Sequence, residues 1–451
     1  MRAGDWDAIV IGAGPAGEHC AAVLAAAGQR VAVAERERIG GECDYWACIP
    51  SKTLLRPGEA LQAAREAPGA AAAVRGELDS VGALAWRDFM VSNYEDGAKA
   101  EWLEGQGIAV LRGDARIEGP GRVRVGHEVH VARDIVIATG SDPVLPPIPG
   151  LGDVDGVWTN REATGATEIP RRLVVLGGGP VGVELAQAFR RLGAEVALVE
   201  GMEHLLSREP RPLGEALGAV LAGDGIELHL GAHATAVRRR GDEILVELPG
   251  GRELVGDRLL VATGRRPRVA RLGLEWVGVE PGRAGIAVDA RMRAAEGVWA
   301  IGDVTGVWPL TYVGKYQGRI AAANILGGDR QADYDAVPRV VFTDPQAAAV
   351  GAVEGPLTAT VPMSEVPRAA TTSRAYAEKP GFLTLVSDGE RLTGAHALGP
   401  EAGEWLQQAT VAIRARVPLE VLEDVIQPFP TFSEIFLHGL TALRSAIPPA
   451  A

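Results

Sequence analysis

The alternation of apolar and polar positions repeats one phrase at two places in the chain. Asp7 to Ile11 is a short apolar run that reads as a buried strand, and it breaks at Gly12-Ala13-Gly14-Pro15-Ala16-Gly17. A stretch of helical period follows over about Ala16 to Ala27 and ends at Gly28; Arg30 to Glu35 then reads as a second strand with an acid at its end. The phrase returns as strand Leu173–Leu176, the run Gly177-Gly178-Gly179-Pro180-Val181-Gly182, a helix to about Leu192, Gly193, and strand Glu195–Val199 followed by Glu200. From first glycine to terminal acid the spacing is 23 residues in both copies. Each unit closes on a buried strand that stops at a glycine: Ile135 to Ile137 runs into Gly140, and Leu259 to Val261 into Gly264.

A strand, a Gly-x-Gly-x-x-Gly turn, a helix and a strand ending in an acid make a dinucleotide fingerprint. In such a turn Gly12 and Gly177 permit the sharp bend, Gly14 and Gly179 admit a pyrophosphate to the backbone, and Gly17 and Gly182 let helix and strand touch. The helix N-terminus favours the phosphate charge, and Glu35 and Glu200 are placed to accept from ribose hydroxyls. Two copies with matching context predict an α/β chain with two Rossmann-like dinucleotide-binding domains. Glu200 opposes a 2′-phosphate, and the residues after it, Gly201, Met202, Glu203 and His204, supply no Arg or Lys. NADH is therefore expected ahead of NADPH.

Beyond the second copy, Val298 to Ile301 reads as a buried strand ending at Gly302-Asp303, and a helix is expected from about Thr311 to Leu326. From Pro338 the pattern changes. Strands are expected at Val340–Phe342, Phe382–Val386 and Leu392–Leu398, and helices at about 400–415 and 433–442.

With 451 residues the chain exceeds one hydrophobic core, and its 47% hydrophobic content fills several. The net charge of −13 argues against nucleic acid and anionic membranes as partners. No apolar run is long enough to span a bilayer, and Asp5 and Asp7 stand where a signal peptide would be apolar, so a cytoplasmic protein is expected. Three cysteines, Cys20, Cys43 and Cys48, are too few for a disulfide scaffold. The eight histidines form no cluster that would complete a zinc site with them, so no metal site is expected. Cys20 and His19 read as packing residues of the first fingerprint helix.

The segment Gly40-Gly41-Glu42-Cys43-Asp44-Tyr45-Trp46-Ala47-Cys48-Ile49-Pro50-Ser51-Lys52, taken with both fingerprints, resembles the class I pyridine nucleotide–disulfide oxidoreductases. Dihydrolipoamide dehydrogenase, glutathione reductase and mercuric reductase are members, and the resemblance covers essentially the whole chain. It implies FAD on the first fingerprint (Gly12, Gly14, Gly17, Glu35, with Gly140 and Asp303) and NADH on the second (Gly177, Gly179, Gly182, Glu200, with Gly264). It implies Cys48 as the flavin-facing thiolate and Cys43 as the interchange thiol. Lys52 matches the cation beside the flavin and Glu184 its partner, although a carboxylate near a helix N-terminus is also favoured by the helix dipole alone. The implied activity passes electrons from NADH through FAD to a Cys43–Cys48 disulfide and on to a small-molecule acceptor. The implied domains are FAD-binding (1–148 and 272–337), NAD-binding (149–271) and a C-terminal α+β dimerisation domain (338–451), the last giving a homodimer whose active sites draw on both chains.

Two departures stand out. The thiol-reducing members end in His-x-His-Pro-Thr-x-x-Glu, whereas here Gln427-Pro428-Phe429-Pro430-Thr431-Phe432-Ser433-Glu434 keeps Pro430, Thr431 and Glu434 but puts Phe429 at the acid–base histidine. A phenyl ring moves no proton, so ordinary dithiol turnover is expected to be poor. Between the cysteines, Tyr45 and Ala47 replace Asn and Gly around Trp46, and Glu42 replaces Thr. No cysteine follows Cys48, which leaves no C-terminal pair to deliver mercury. The rival readings are a quinone or metal-ion reductase working from the flavin, and a slow flavin-bound redox sensor.

Overall fold

The computed structural model describes residues 5–373, 375, 377–378 and 381–446. The chain divides into two compact units, residues 1–50, 87–144 and 264–333 in one, and 51–86, 145–263 and 334–451 in the other.

The first unit is built on five parallel strands in the order Val298–Ala300, Glu128–Ile137, Asp5–Ile11, Val31–Glu35 and Ile108–Arg112. The central runs Ala8–Ile11, Val31–Ala34 and Ile135–Ile137 are buried on both faces, which is why they are continuously apolar instead of alternating. Val10, Val33 and Val136 face one core with Leu24 and Ile320, while Ile9, Ile11, Ile135 and Ile137 face another with Leu272 and Ile286. An antiparallel hairpin, Ala115–Gly119 with Arg122–Val125, extends from the first half of Glu128–Ile137. Helices Pro15–Ala26 and Thr311–Ile325 approach closely because both carry small residues. A Cβ on Gly314 would stand 3.0 Å from the Ala16 Cβ, and one on Gly318 would stand 3.0 Å from the Ala16 carbonyl oxygen.

The second unit repeats the plan with parallel strands in the order Glu227–Leu230, Glu195–Glu200, Arg172–Leu176, Arg258–Val261 and Val157–Trp158. A three-stranded antiparallel sheet, Ala236–Arg240, Glu243–Glu247 and Glu253–Gly256, accompanies it. The C-terminal part is a five-stranded antiparallel sheet in the order Arg339–Val341, Gln346–Gly351, Leu392–Gly399, Phe382–Ser387 and Leu357–Pro362. Helix Ile435–Ala446 lies on it so closely that a Cβ on Gly439 would sit 2.9 Å from Leu385 Cδ1. The architecture is the expected α/β one, with two parallel-sheet nucleotide folds and a C-terminal α+β sheet domain.

Some elements differ from the sequence expectation. The helix expected over about 400–415 is two, Ala402–Trp405 and Gln407–Arg414, with Leu406 between them buried in the C-terminal core. The last helix starts at Ile435, after a short 3-10 turn at Phe432–Glu434. The unforeseen central strand Gln346–Gly351 is alanine-rich, and alanine has low strand propensity; small side chains suit it because it is buried between two layers. Among the described residues no helix is long and apolar enough to cross a membrane.

Candidate active site

The two glycine turns are built alike. Gly12 has φ of 105° and Gly177 of 107°, and a Cβ would stand 2.4 Å from the Ala138 carbonyl oxygen at the first and 2.5 Å from that of Ala262 at the second. Gly17 and Gly182 press helix on strand, since a Cβ there would lie 2.0 Å from Gly12 O and 1.9 Å from Gly177 O. Gly14 and Gly179 differ in kind: nothing lies within 4 Å of a Cβ on either. They begin helices Pro15–Ala26 and Pro180–Arg191, neither of which has a side-chain cap, so each turn presents helix-end N–H groups to open space.

The terminal acids also correspond. Glu35 accepts from the backbone N–H of Ala13 at 2.8 Å and of Glu37 at 2.8 Å. Glu200 accepts from Gly178 at 2.5 Å and Met202 at 2.8 Å. Each carboxylate thus ties the turn to its own strand end. Gly140 and Gly264 both have positive φ and open space beside them, and both lie in the first unit. Gly140 O accepts from Arg268 N at 2.9 Å and Gly264 O from Val144 N at 3.0 Å. Asp303 accepts from the Ser141 hydroxyl at 2.6 Å, and Arg265 Nε donates to that hydroxyl at 2.8 Å.

Cys43 lies in the short helix Gly41–Tyr45, and Cys48 is the first residue of helix Cys48–Glu66. The hydroxyl of Thr311, at the start of helix Thr311–Ile325, reaches both sulfurs, 3.2 Å to Cys48 Sγ and 3.4 Å to Cys43 Sγ. Both cysteines are half-buried. The hydrogen bond between the two sulfurs, then burial, push the Cys43 thiol far above its ordinary range, while the Thr311 hydroxyl pulls it down. Cys20 is fully buried and burial pushes its thiol up to about 12, in keeping with a packing role.

The residues that replace the family's usual ones are anchored. Glu42 faces two guanidinium groups, Arg265 at 3.6 Å and Arg268 at 3.9 Å. Tyr45 is buried and donates to the Glu95 carbonyl at 3.3 Å; its ring centroid is 5.6 Å from that of Trp46, and the Arg38 guanidinium lies over both rings.

In the second unit, Lys52 Nζ donates to Glu184 Oε2 at 2.7 Å, and Glu184 Oε1 accepts from the backbone N–H of Phe342 at 2.9 Å. Glu184 is buried, and the ammonium lies 4.7 Å from the centroid of the Phe342 ring. Glu434 closes the turn Phe432–Glu434, and its enclosed Oε2 has no hydrogen-bond partner among the described residues. Phe429 is 71% exposed. Thr311, Phe342 and Ser51, whose hydroxyl is 3.4 Å from Glu184 Oε2, were not marked as site residues by the sequence. Thr311 left a faint signal, being a hydroxyl residue at an expected helix start.

Two nucleotide cradles and a hydroxyl-bridged thiol pair define an oxidoreductase of the two-dinucleotide, dithiol class. Residues 6–318 match the family described as pyridine nucleotide-disulphide oxidoreductase, and residues 337–439 match its dimerisation domain. A dihydrolipoyl dehydrogenase of Thermus scotoductus is 37% identical over 457 residues, covering 97% of this chain and 97% of the relative. A mercuric reductase of Shigella flexneri is 38% identical over 450 residues, covering 94% of this chain and 78% of the relative. Among solved structures, the Cu(II) complex of the HOCl-induced flavoprotein disulfide reductase RclA from Escherichia coli superposes with a TM-score of 0.86 at 29% identity, covering 98% of this chain and 99% of that one. The chain belongs to the class I pyridine nucleotide–disulfide oxidoreductase family, whose members use FAD and NAD(P)H. The residues present fit those groups: the space beside Gly14 and Gly179, with uncapped helix N-termini, suits pyrophosphates.

Proposed function

We propose that the protein is a cytoplasmic, homodimeric NADH-dependent flavoenzyme that uses Cys43 and Cys48 as a redox pair and reduces a small-molecule acceptor other than an ordinary dihydrolipoamide or glutathione pair. In this reading residues 1–148 and 272–337 hold FAD, 149–271 hold NADH, and 338–451 form the dimer contact. When bound, FAD supplies hydride acceptance from the nicotinamide and two-electron delivery to a disulfide. Gly12, Gly14, Gly17, Glu35, Gly140 and Asp303 hold FAD. Gly177, Gly179, Gly182 and Glu200 hold NADH, a set to which the family resemblance adds Gly264. Lys52, kept in place by Glu184, supplies positive charge, and Cys43 is the thiol offered to the acceptor.

The observation that carries this reading is the Thr311 hydroxyl shared by both sulfurs. A donor placed there stabilises a thiolate on either cysteine, as alternation between disulfide and dithiol requires. Phe429 supports an unusual acceptor, because a phenyl ring neither takes nor gives the proton that a dithiol substrate exchanges. Glu434, with no imidazole to orient, is then a structural acid.

The test is an NADH titration of the holoenzyme against a panel of disulfides, quinones and metal ions, repeated with Cys43→Ser and Cys48→Ser. The long-wavelength thiolate-to-flavin absorption is followed throughout. Turnover that needs both cysteines supports the proposal. Turnover that survives both substitutions supports the second reading, a quinone or metal-ion reductase working directly from the flavin. That reading is favoured by Phe429 and by the similarity to a mercuric reductase and to RclA in complex with Cu(II). Flavin reduction by NADH that takes minutes instead of milliseconds supports a redox sensor.

A further inference from the structure

Glu18, Lys99 and Asp44 form a cluster of charge in the first unit that the reading above does not use. Glu18 follows Gly17 in the first turns of helix Pro15–Ala26. It is 9% exposed, and its Oε1 is enclosed with no hydrogen-bond partner among the described residues. Its Oε2 lies 3.5 Å from the ammonium of Lys99, on helix Gly97–Gly105. The same ammonium forms an ion pair with Asp44, the residue after Cys43 in helix Gly41–Tyr45. The Asp44 carboxylate packs against Gly40, where a Cβ would meet its Oδ2 at 2.5 Å and where the φ of 109° favours glycine.

One ammonium thus stands between two carboxylates. Burial decides which acid keeps a proton, because a carboxylate enclosed away from water loses more hydration than one at the surface. Asp44 is the more exposed and Glu18 the more enclosed. Burial, opposed by Lys99, raises the Glu18 carboxyl to about 7. Lys315, on helix Thr311–Ile325, is the further cation that acts on Glu18, and it lowers the value only weakly. Asp44 in turn raises the Cys43 thiol.

We propose that Glu18, Lys99 and Asp44 form a charge-balancing triad in which the proton on Glu18 sets the electrostatic field at Cys43, making Glu18 a positioning residue for thiolate formation. With Glu18 neutral, Lys99 is committed to Asp44 and the carboxylate beside Cys43 is neutralised. With Glu18 ionised, Lys99 is divided between two acids, and the net negative charge opposes a thiolate at Cys43. Ionisation of Glu18 and of the thiol therefore hinder each other. The inference rests on reading Cys43 and Cys48 as the redox pair.

The test uses the NADH-reduced holoenzyme and follows iodoacetamide alkylation of Cys43 by mass spectrometry as a function of pH. Glu18→Gln removes the ionisable acid and is expected to lower the pH midpoint of alkylation by about half a unit, a roughly threefold gain in thiolate just below the midpoint. Lys99→Met removes the shared cation and is expected to raise the midpoint by a similar amount; it acts from a partly exposed position, which covers the case in which Glu18→Gln fails to fold. Opposite shifts of the two variants support the triad. A midpoint that coincides with wild type in either folded variant overturns it. If NADH makes no Cys43 alkylatable in any protein, the redox-pair reading itself fails.

Discussion

Lys52 Nζ donates to Glu184 Oε2 at 2.7 Å, and the other oxygen of Glu184 is occupied by the backbone N–H of Phe342. The carboxylate therefore cannot turn away from the ammonium without stranding a backbone donor, and the ammonium is further held over the Phe342 ring. Glu184→Gln keeps the shape but removes the charge that holds Lys52. Flavin reduction by NADH is expected to slow about tenfold with flavin content unchanged, as read by stopped-flow absorbance. An unchanged rate would mean that Lys52 needs no charged partner.

Thr311 offers one hydroxyl to two sulfurs. A hydrogen bond to the charged form favours that form, so its removal raises a thiol pKa. In Thr311→Val the thiolate-to-flavin absorption of the NADH-reduced enzyme should appear about one pH unit higher than in wild type, and Thr311→Ser should restore it. A valine variant that titrates like wild type would leave the hydroxyl without influence on the pair.

By the resemblance to the thiol-reducing family members, Phe429 is expected to stand at the position of their proton carrier. Phe429→His is expected to raise dihydrolipoamide oxidation by at least about tenfold, a part of the roughly 10²–10⁴-fold that general acid–base catalysis contributes when fully placed. Steady-state assay decides. No gain would place the block in the anchored Tyr45–Trp46 pair instead of the missing imidazole.

Glu18 also makes stability depend on pH. Its folded value of about 7 lies above its ordinary 4.5, so the folded state holds a proton that the unfolded state releases between those values. Stability from this group is fully present below about 4.5 and falls as pH rises through 7. Glu18→Gln should remove that slope and leave the protein more stable than wild type at pH 8 by about 1–3 kcal/mol, measured by denaturant melts across pH. Parallel curves for the two proteins would count against a buried, protonated Glu18.

The nucleotide folds were readable from sequence because they depend on backbone conformation. Gly12, Gly17, Gly177 and Gly182 are required by contacts under 2.6 Å to carbonyl oxygens, so only one residue type satisfies each place. The ion pair of Lys52 with Glu184 was legible through the family string alone, since 132 residues separate the partners. Thr311 was not, because nothing in its neighbourhood of the chain signals two sulfurs 263 and 268 residues away. Ala347, Ala348 and Ala349 hid a central strand, since their role is to be small between two layers, which propensity does not record. The Glu18–Lys99–Asp44 cluster escaped for the same reason as Thr311: three separate helices bring it together.

The carboxylates of Glu35 and Glu200, each bound by one backbone N–H of its glycine turn and one just past its own strand, have a consequence for how nucleotides come and go. Their glycine turns are fastened from inside the protein, so the conformational entropy of ordering them, roughly 1–2 kcal/mol per residue, is met during folding and not during binding. A dinucleotide meets a seat already shaped and leaves it standing on departure. For a nucleotide exchanged at every turnover, such rigidity removes refolding of the loop from the list of steps that limit the rate.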